Sequence, residues 1–120
     1  MNTRHIEAEL ASMAETPGVI ACALVDYATG MVYLSAGKHP HIDAIAEAAS
    51  DYWRMYARNG TPFSGLGPLQ AISMIHQDGV LSLMPCGDGI VMATLSRRME
   101  LDLGVWFRKV GKLGLAVGQR

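Results

Sequence analysis

Residues 19–25 read Val-Ile-Ala-Cys-Ala-Leu-Val and are apolar at both parities of a strand. Val19, Ala21, Ala23 and Val25 fall on one side, and Ile20, Cys22 and Leu24 on the other. A strand with one wet face alternates apolar and polar residues. A strand apolar on both faces must lie between two covering layers. This excludes an open, half-solvated sheet and requires helices above and below. The stretch opens after Thr16-Pro17-Gly18, where Pro17 and Gly18 end a preceding helix. It closes at Asp26, followed by a turn ending in Gly30. An Asp in that place is expected to bond the turn backbone. It is not expected to hold an anion, since no helix N-terminus follows the strand.

The covering layers are legible in the spacing of apolar residues. Ile6, Leu10, Met13 and Ala14 predict a helix over 3–15, with Glu7 and Glu9 opposite and Asn2 or Thr3 as its cap. Val19–Tyr27 and Met31–Ala36 read as a hairpin. Gly37-Lys38-His39-Pro40 then breaks the pattern, and a second helix is predicted over 41–59. Ile42, Ile45, Ala49, Tyr52, Trp53 and Tyr56 share one face of it; Asp43, Glu47, Ser50, Asp51, Arg54 and Arg58 share the opposite one. Ala44, Ala46, Ala48, Met55 and Ala57 widen the non-polar arc to roughly 200°. A helix resting on one sheet needs about half of that. The surplus, Ala44, Ala48 and Met55, predicts a second contact, and a homodimer is the simplest one.

Residues 60–68 read as a loop. Three strands follow, at Leu69–Gln77, Val80–Pro85 and Gly89–Ser96, joined by Asp78-Gly79 and by Gly87-Asp88-Gly89. Gln70, Ser73, His76 and Gln77 dilute the first of the three, as suits an edge strand. A last helix is predicted over 99–117, with Leu103, Trp106, Phe107, Val110, Leu113 and Val117 on its core face. Gly104, Gly111, Gly114 and Gly118 lie beside that face and predict a tight approach to the sheet. The order is α-β-β-α-β-β-β-α. It predicts an α+β fold built as a three-layer α/β/α sandwich around five strands.

The chain has 120 residues, which fits one domain spanning 1–120. Half of them are apolar and 18% are charged, a globular composition. With a net charge of −1 and no basic run longer than Arg97-Arg98, nucleic-acid binding is not expected. No apolar run is long enough to span a membrane, and the first residues lack a secretory signal, so a cytoplasmic location is expected. Cys22 and Cys86 read as buried or half-buried free thiols.

The polar residues offer little chemistry. Gly37-Lys38 precedes a helix but lacks the upstream glycine and the Ser or Thr of a phosphate loop. His39 and His41 flank Pro40 as one weak pair, short of a structural zinc set. Ser64-Gly65 has neither an elbow motif nor a base. Tyr52, Trp53 and Tyr56 are read as packing or interface residues. No catalytic residue, cofactor or metal ligand is assigned, and the chain is not expected to be an enzyme.

The whole chain resembles the roadblock family of dynein light-chain and GTPase-regulator domains. The resemblance is carried by the first helix ending in Pro17-Gly18-Val19, by ACALVDYATG, by the helix HIDAIAEAASDYWRMY and by LDLGVWFRKV with Leu103-Gly104 opening the last helix. It implies a five-stranded antiparallel sheet, with the second helix on one face and the first and last on the other. It also implies a homodimer in which second helices pack together and third strands pair edge to edge. The interface positions are then Ala44, Ala48, Tyr52 and Met55 on the helix and Gln70, Ile72 and Met74 on the strand. Pro17, Gly18, Asp26, Gly30, Gly79 and Gly104 are structural positions. The implied function is a regulatory or scaffold module that binds a small Ras-like GTPase. The alternative is a small-ligand sensor of the profilin, PAS or GAF type, which shares the three-layer pattern.

Overall fold

The computed structural model describes residues 3–118. Asn2, one of the two expected caps, lies outside them. The elements are α1 (Thr3–Ala14), β1 (Val19–Asp26), β2 (Met31–Gly37), α2 (Ile42–Arg58), a short 3-10 helix (Thr61–Leu66), β3 (Ile72–Ile75), β4 (Val80–Pro85), β5 (Ile90–Ser96) and α3 (Leu103–Val117). All five strands form one antiparallel sheet in the order β2-β1-β5-β4-β3. The expected element order and three-layer α+β architecture hold.

Each face of the sheet has its own core. Cys22, Leu24, Met84, Ile90 and Met92 face α1 and α3, which contribute Ile6, Leu10, Trp106 and Val110. Ala21, Ala23, Val25, Leu83, Val91 and Ala93 face α2, which contributes Ile42, Ala46, Ala49 and Trp53. The small residues of β1 and β5 lie on the α2 side, where the helix carries the large Trp53. Large and small partners thus interdigitate across the layer.

Two register shifts set which residues face which core, and the first changes an expected face. The β1–β5 register shifts between Val19 and Ala21. Val19 therefore joins the α1/α3 core, not the α2 core that holds Ala21 and Ala23. In the β1–β2 pair, Leu24 opposes Leu34 while Val25 opposes Val32, leaving Tyr33 as the extra residue. One inserted residue inverts every later side-chain direction, so Leu34 packs on the α1/α3 side and Val32 on the α2 side.

Other boundaries also differ. Residues 61–66 form a 3-10 helix with Pro62 in its first turn, a position suited to the fixed φ of proline. β3 spans four residues, so Leu69, Gln70, His76 and Gln77 lie outside the ladder. The last helix starts at Leu103, four residues later than expected. Asp102 has extended backbone, and its Oδ1 accepts from the Val105 N–H at 3.1 Å, which fixes the start. Leu103 and Phe107 are exposed, and the buried stripe of α3 is Trp106, Val110, Leu113, Gly114 and Val117. Gly104, Gly111, Gly114 and Gly118 do not share a close approach to the sheet. A Cβ on Gly114 would lie 2.8 Å from the Gly87 amide nitrogen, whereas one on Gly111 would meet nothing within 4 Å.

Candidate functional site

The turn after β1 is built by Asp26. Its Oδ1 accepts from the Ala28 N–H at 2.9 Å, its backbone carbonyl accepts from the Gly30 N–H at 2.8 Å, and Gly30 has φ +80°. The Tyr33 hydroxyl donates to Asp26 Oδ2 at 3.4 Å. Both carboxylate oxygens are thereby engaged within the hairpin. Gly18 has φ +91°, and a Cβ there would press on the Glu100 carbonyl carbon at 2.8 Å. Gly79 is buried in the β3–β4 connection, where its carbonyl accepts from the His76 N–H at 2.8 Å. Gly104 is exposed in the first turn of α3.

α2 carries the largest departure from the expected helix faces. Ser50, expected among the solvent-facing residues, is buried. Its hydroxyl donates to the Glu47 carbonyl at 2.7 Å and accepts from Arg54 Nη1 at 3.1 Å. Arg54, also expected to face solvent, donates to the Tyr27 carbonyl and pairs with Asp51. This side of α2 is therefore fastened to the β1–β2 turn.

The opposite flank of α2 is open. Ala44, Ala48, Tyr52 and Met55 are all exposed, with Tyr52 at 50% and Met55 at 48%. At 100° per residue they occupy one arc of roughly 80°. Ile45 borders that arc and is half-buried against the α2 core. Tyr52, Trp53 and Tyr56 do not act together: Trp53 is buried, Tyr52 is exposed, and Tyr56 stacks on Phe63 with centroids 5.2 Å apart.

β3 is an edge of the sheet, paired only with β4. Ile72 and Met74 are half-buried toward the α2 core, and Gln70 is exposed just before the strand. The structure thus leaves one flank of α2 exposed, and β3, like β2 at the other end of the sheet, with an edge that no strand of the chain pairs.

The thiols of Cys22 and Cys86 are buried. Burial pushes both up to about 12, and the nearby Cys22 thiolate would add to the effect at Cys86. Among the described residues, no group of three or more His, Cys, Asp and Glu is placed to hold a metal. His39 Nδ1 accepts from the His41 N–H at 3.1 Å, tying that pair into the loop before α2. An open cleft of about 480 Å³ lies between Tyr27, Trp53, Tyr56, Leu69 and Ile90. Among the described residues, no helix is long and apolar enough to cross a membrane.

No protein-family sequence profile matches the chain, and no curated protein matches it by sequence. Solved structures do. The chain is similar to a roadblock/LC7 domain from Streptomyces avermitilis, with a TM-score of 0.79 at 19% identity over 92% of each chain. It is similar to the gliding protein MglB from Thermus thermophilus, with a TM-score of 0.78 at 15% identity over 100% of this chain and 94% of that one. For MglB from Myxococcus xanthus the values are 0.74 and 15%, over 99% and 96%. The fold is the roadblock fold.

Proposed function

We propose that this chain is a non-enzymatic, homodimeric roadblock-type module that regulates or scaffolds a small Ras-like GTPase in the cytoplasm. The observation that carries the self-association is the exposed arc of Ala44, Ala48, Tyr52 and Met55, together with the open edge at β3. Two copies related by a two-fold axis could pair their β3 edges and cover both α2 arcs at once. An isologous contact of that kind closes and stops at two. A further structure similar to this chain is described as MglB with tetrameric arrangement, so self-association is compatible with the fold. The GTPase partner rests on the family resemblance carried by the Pro17-Gly18-Val19 corner, the β1 sequence and Leu103-Gly104.

Sedimentation velocity at micromolar concentration is expected to give a dimer; a clean monomer would refute the self-association. The GTPase arm is separate. A purified small Ras-like GTPase, loaded with GDP or with a non-hydrolysable GTP analogue, is expected to co-elute in one of those states. Failure in both states would remove the GTPase and leave the dimer standing.

A further inference from the structure

The open cleft of about 480 Å³ at the C-terminal end of α2 brings three aromatic side chains together from two parts of the chain. Tyr27 follows β1, and Trp53 and Tyr56 stand in the last turns of α2. The Tyr27 and Trp53 rings have centroids 6.3 Å apart and are tilted by 51°, so they make an angled wall and not a closed stack. Phe63 stacks on Tyr56 and fixes that ring from one side. Tyr27 and Tyr56 are half-buried and Trp53 is 9% exposed. The aromatic surface is thus partly desolvated, which strengthens its attraction for a cation. Leu69 and Ile90 add an apolar floor.

One charge enters this cleft. Among the described residues, Asp88 is the single charged residue that lines it. Asp88 lies in the turn between β4 and β5, between Gly87 at φ +88° and Gly89 at φ +76°. The turn is pinned on both sides. The Gly89 carbonyl accepts from the Tyr27 N–H at 3.3 Å, and the Ile90 carbonyl accepts from the Cys86 N–H at 2.8 Å. The carboxylate is therefore carried on a backbone tied to Tyr27.

The helix end adds to that field. Tyr56 and Ala57, from the last turn of α2, line the cleft. The C-terminal end of a helix carries partial negative charge and favours a cation. The two arginines of this part of α2 do not line the cleft. Arg54 is committed to the Tyr27 carbonyl, the Ser50 hydroxyl and Asp51. Arg58 is exposed and lies about 140° round the helix from Trp53.

We propose that this cleft binds a small quaternary ammonium compound of the choline type, with its methylated head against Tyr27, Trp53 and Tyr56 and its charge balanced by Asp88. Aromatic rings attract such a cation. The apolar floor accepts methyl groups, and it penalises a bare ammonium or a metal ion, which would lose hydrating water there. The Asp88 carboxylate opposes any ligand that carries a carboxylate of its own. The four residues that would meet the head are not among the interface positions of the proposed dimer, although Gln70 lies at the rim. The site therefore depends neither on the dimer nor on the GTPase.

The test titrates the isotope-labelled full chain with three compounds of similar shape. One is choline. The second is ethanolamine, which keeps the charge and lacks the methyl groups. The third is the uncharged isostere of choline, in which a tert-butyl group replaces the trimethylammonium. Choline is expected to saturate below about 10 mM. It should shift the Trp53 indole N–H and the amides of Tyr27, Asp88 and Gly89. The Trp106 indole, buried on the other face of the sheet, should stay in place. The other two compounds are expected to bind at least about fivefold more weakly.

Asp88→Asn keeps the size of the turn residue and is expected to lower choline affinity about fivefold with an unchanged thermal midpoint. Tyr56→Leu keeps apolar bulk without the ring and should weaken binding to a similar degree; if it unfolds the chain, Asp88→Asn still decides. Absence of saturation, equal binding of the three compounds, shifts centred elsewhere, or unchanged affinity in Asp88→Asn would each overturn the proposal. Tighter binding of a trimethyllysine peptide than of choline would overturn the small-molecule ligand. Sedimentation of the same samples reads the dimer separately, so the failure of either reading leaves the other standing.

Discussion

The indole N–H of Trp106 donates to the Thr94 hydroxyl at 2.9 Å, with both side chains buried. This bond joins α3 to β5 at a fixed register. Thr94 also opposes Ser82 across the ladder, and the Ser82 hydroxyl is buried without a partner. Two neighbouring hydroxyls are thus expected to respond in opposite ways. Thr94→Val keeps the shape and orphans the indole donor, at a cost of about 1–3 kcal/mol. Ser82→Ala removes an unsatisfied group and is expected to be neutral or stabilising. Urea unfolding of the two variants checks the pair, and an equal loss in both would contradict this account.

On α2 the exposed arc and the core face can be separated by charge. Ala48→Glu and Met55→Glu are expected to convert a dimer to a monomer while changing monomer stability by less than about 0.5 kcal/mol. Ile45→Glu, half-buried against the α2 core, is expected to cost several times more, since it brings a charge to an apolar layer. Sedimentation gives the first readout and chemical unfolding the second.

Two glycines of α3 should answer the same substitution with opposite signs. Gly111→Ala gains helix propensity and meets no atom within 4 Å, so stability should rise by up to about 1 kcal/mol. Gly114→Ala would place its Cβ 2.8 Å from the Gly87 nitrogen and 3.1 Å from the Cys86 carbonyl carbon. Backbone cannot yield there, and a loss of about 1–3 kcal/mol is expected as α3 is pushed off the sheet. Thermal unfolding of both variants measures the difference.

The buried thiols predict an alkaline limb. Both have pKa values raised from 9.0 to about 12 by burial. Between those values the unfolded chain has lost protons that the folded chain keeps, so stability falls as pH rises. The contribution is intact below pH 9. Above it, the two groups together give a slope approaching about 2.7 kcal/mol per pH unit. Unfolding free energies of the wild type and of a Cys22→Ala, Cys86→Ala double variant, measured from pH 8 to about 11, are expected to diverge. Parallel curves would show that the thiols are already free to ionise.

Much of the architecture was legible in the sequence because it rests on burial over many residues. The double apolar face of residues 19–25 required two covering layers, and both are present. The misplaced residues fail for local reasons. Ser50 looks like a surface residue, but its hydroxyl is satisfied by its own helix at the Glu47 carbonyl, which lets it be buried cheaply. Val19 changed faces because Ile20 is an extra residue in β1, and Val32 and Leu34 lie on opposite faces because Tyr33 is an extra residue in β2. An apolar residue at a bulge carries no sequence mark. In α3, apolar residues surround more than half the helix, so spacing alone did not say which side meets the sheet. Asp102 before Leu103-Gly104 was a readable cap, and it would have placed both the start and the register. For the α2 arc, the surplus of small and apolar residues was visible at once, since the sheet has only one position for that helix.

The centre of the sheet is the β1–β5 pair, where Ala23 lies beside Ala93 and Asp26 beside Ile90. These strands come from opposite parts of the chain. During synthesis, at about 5–20 residues per second, β1 waits several seconds for its central neighbour. Its two apolar faces are unshielded for that time. A ring closure this long also slows the search for native pairing relative to a fold of local hairpins. A chain cut between β2 and β5 therefore leaves one long side of β1 unpaired and is expected to be an aggregation-prone fragment and not a smaller folded unit.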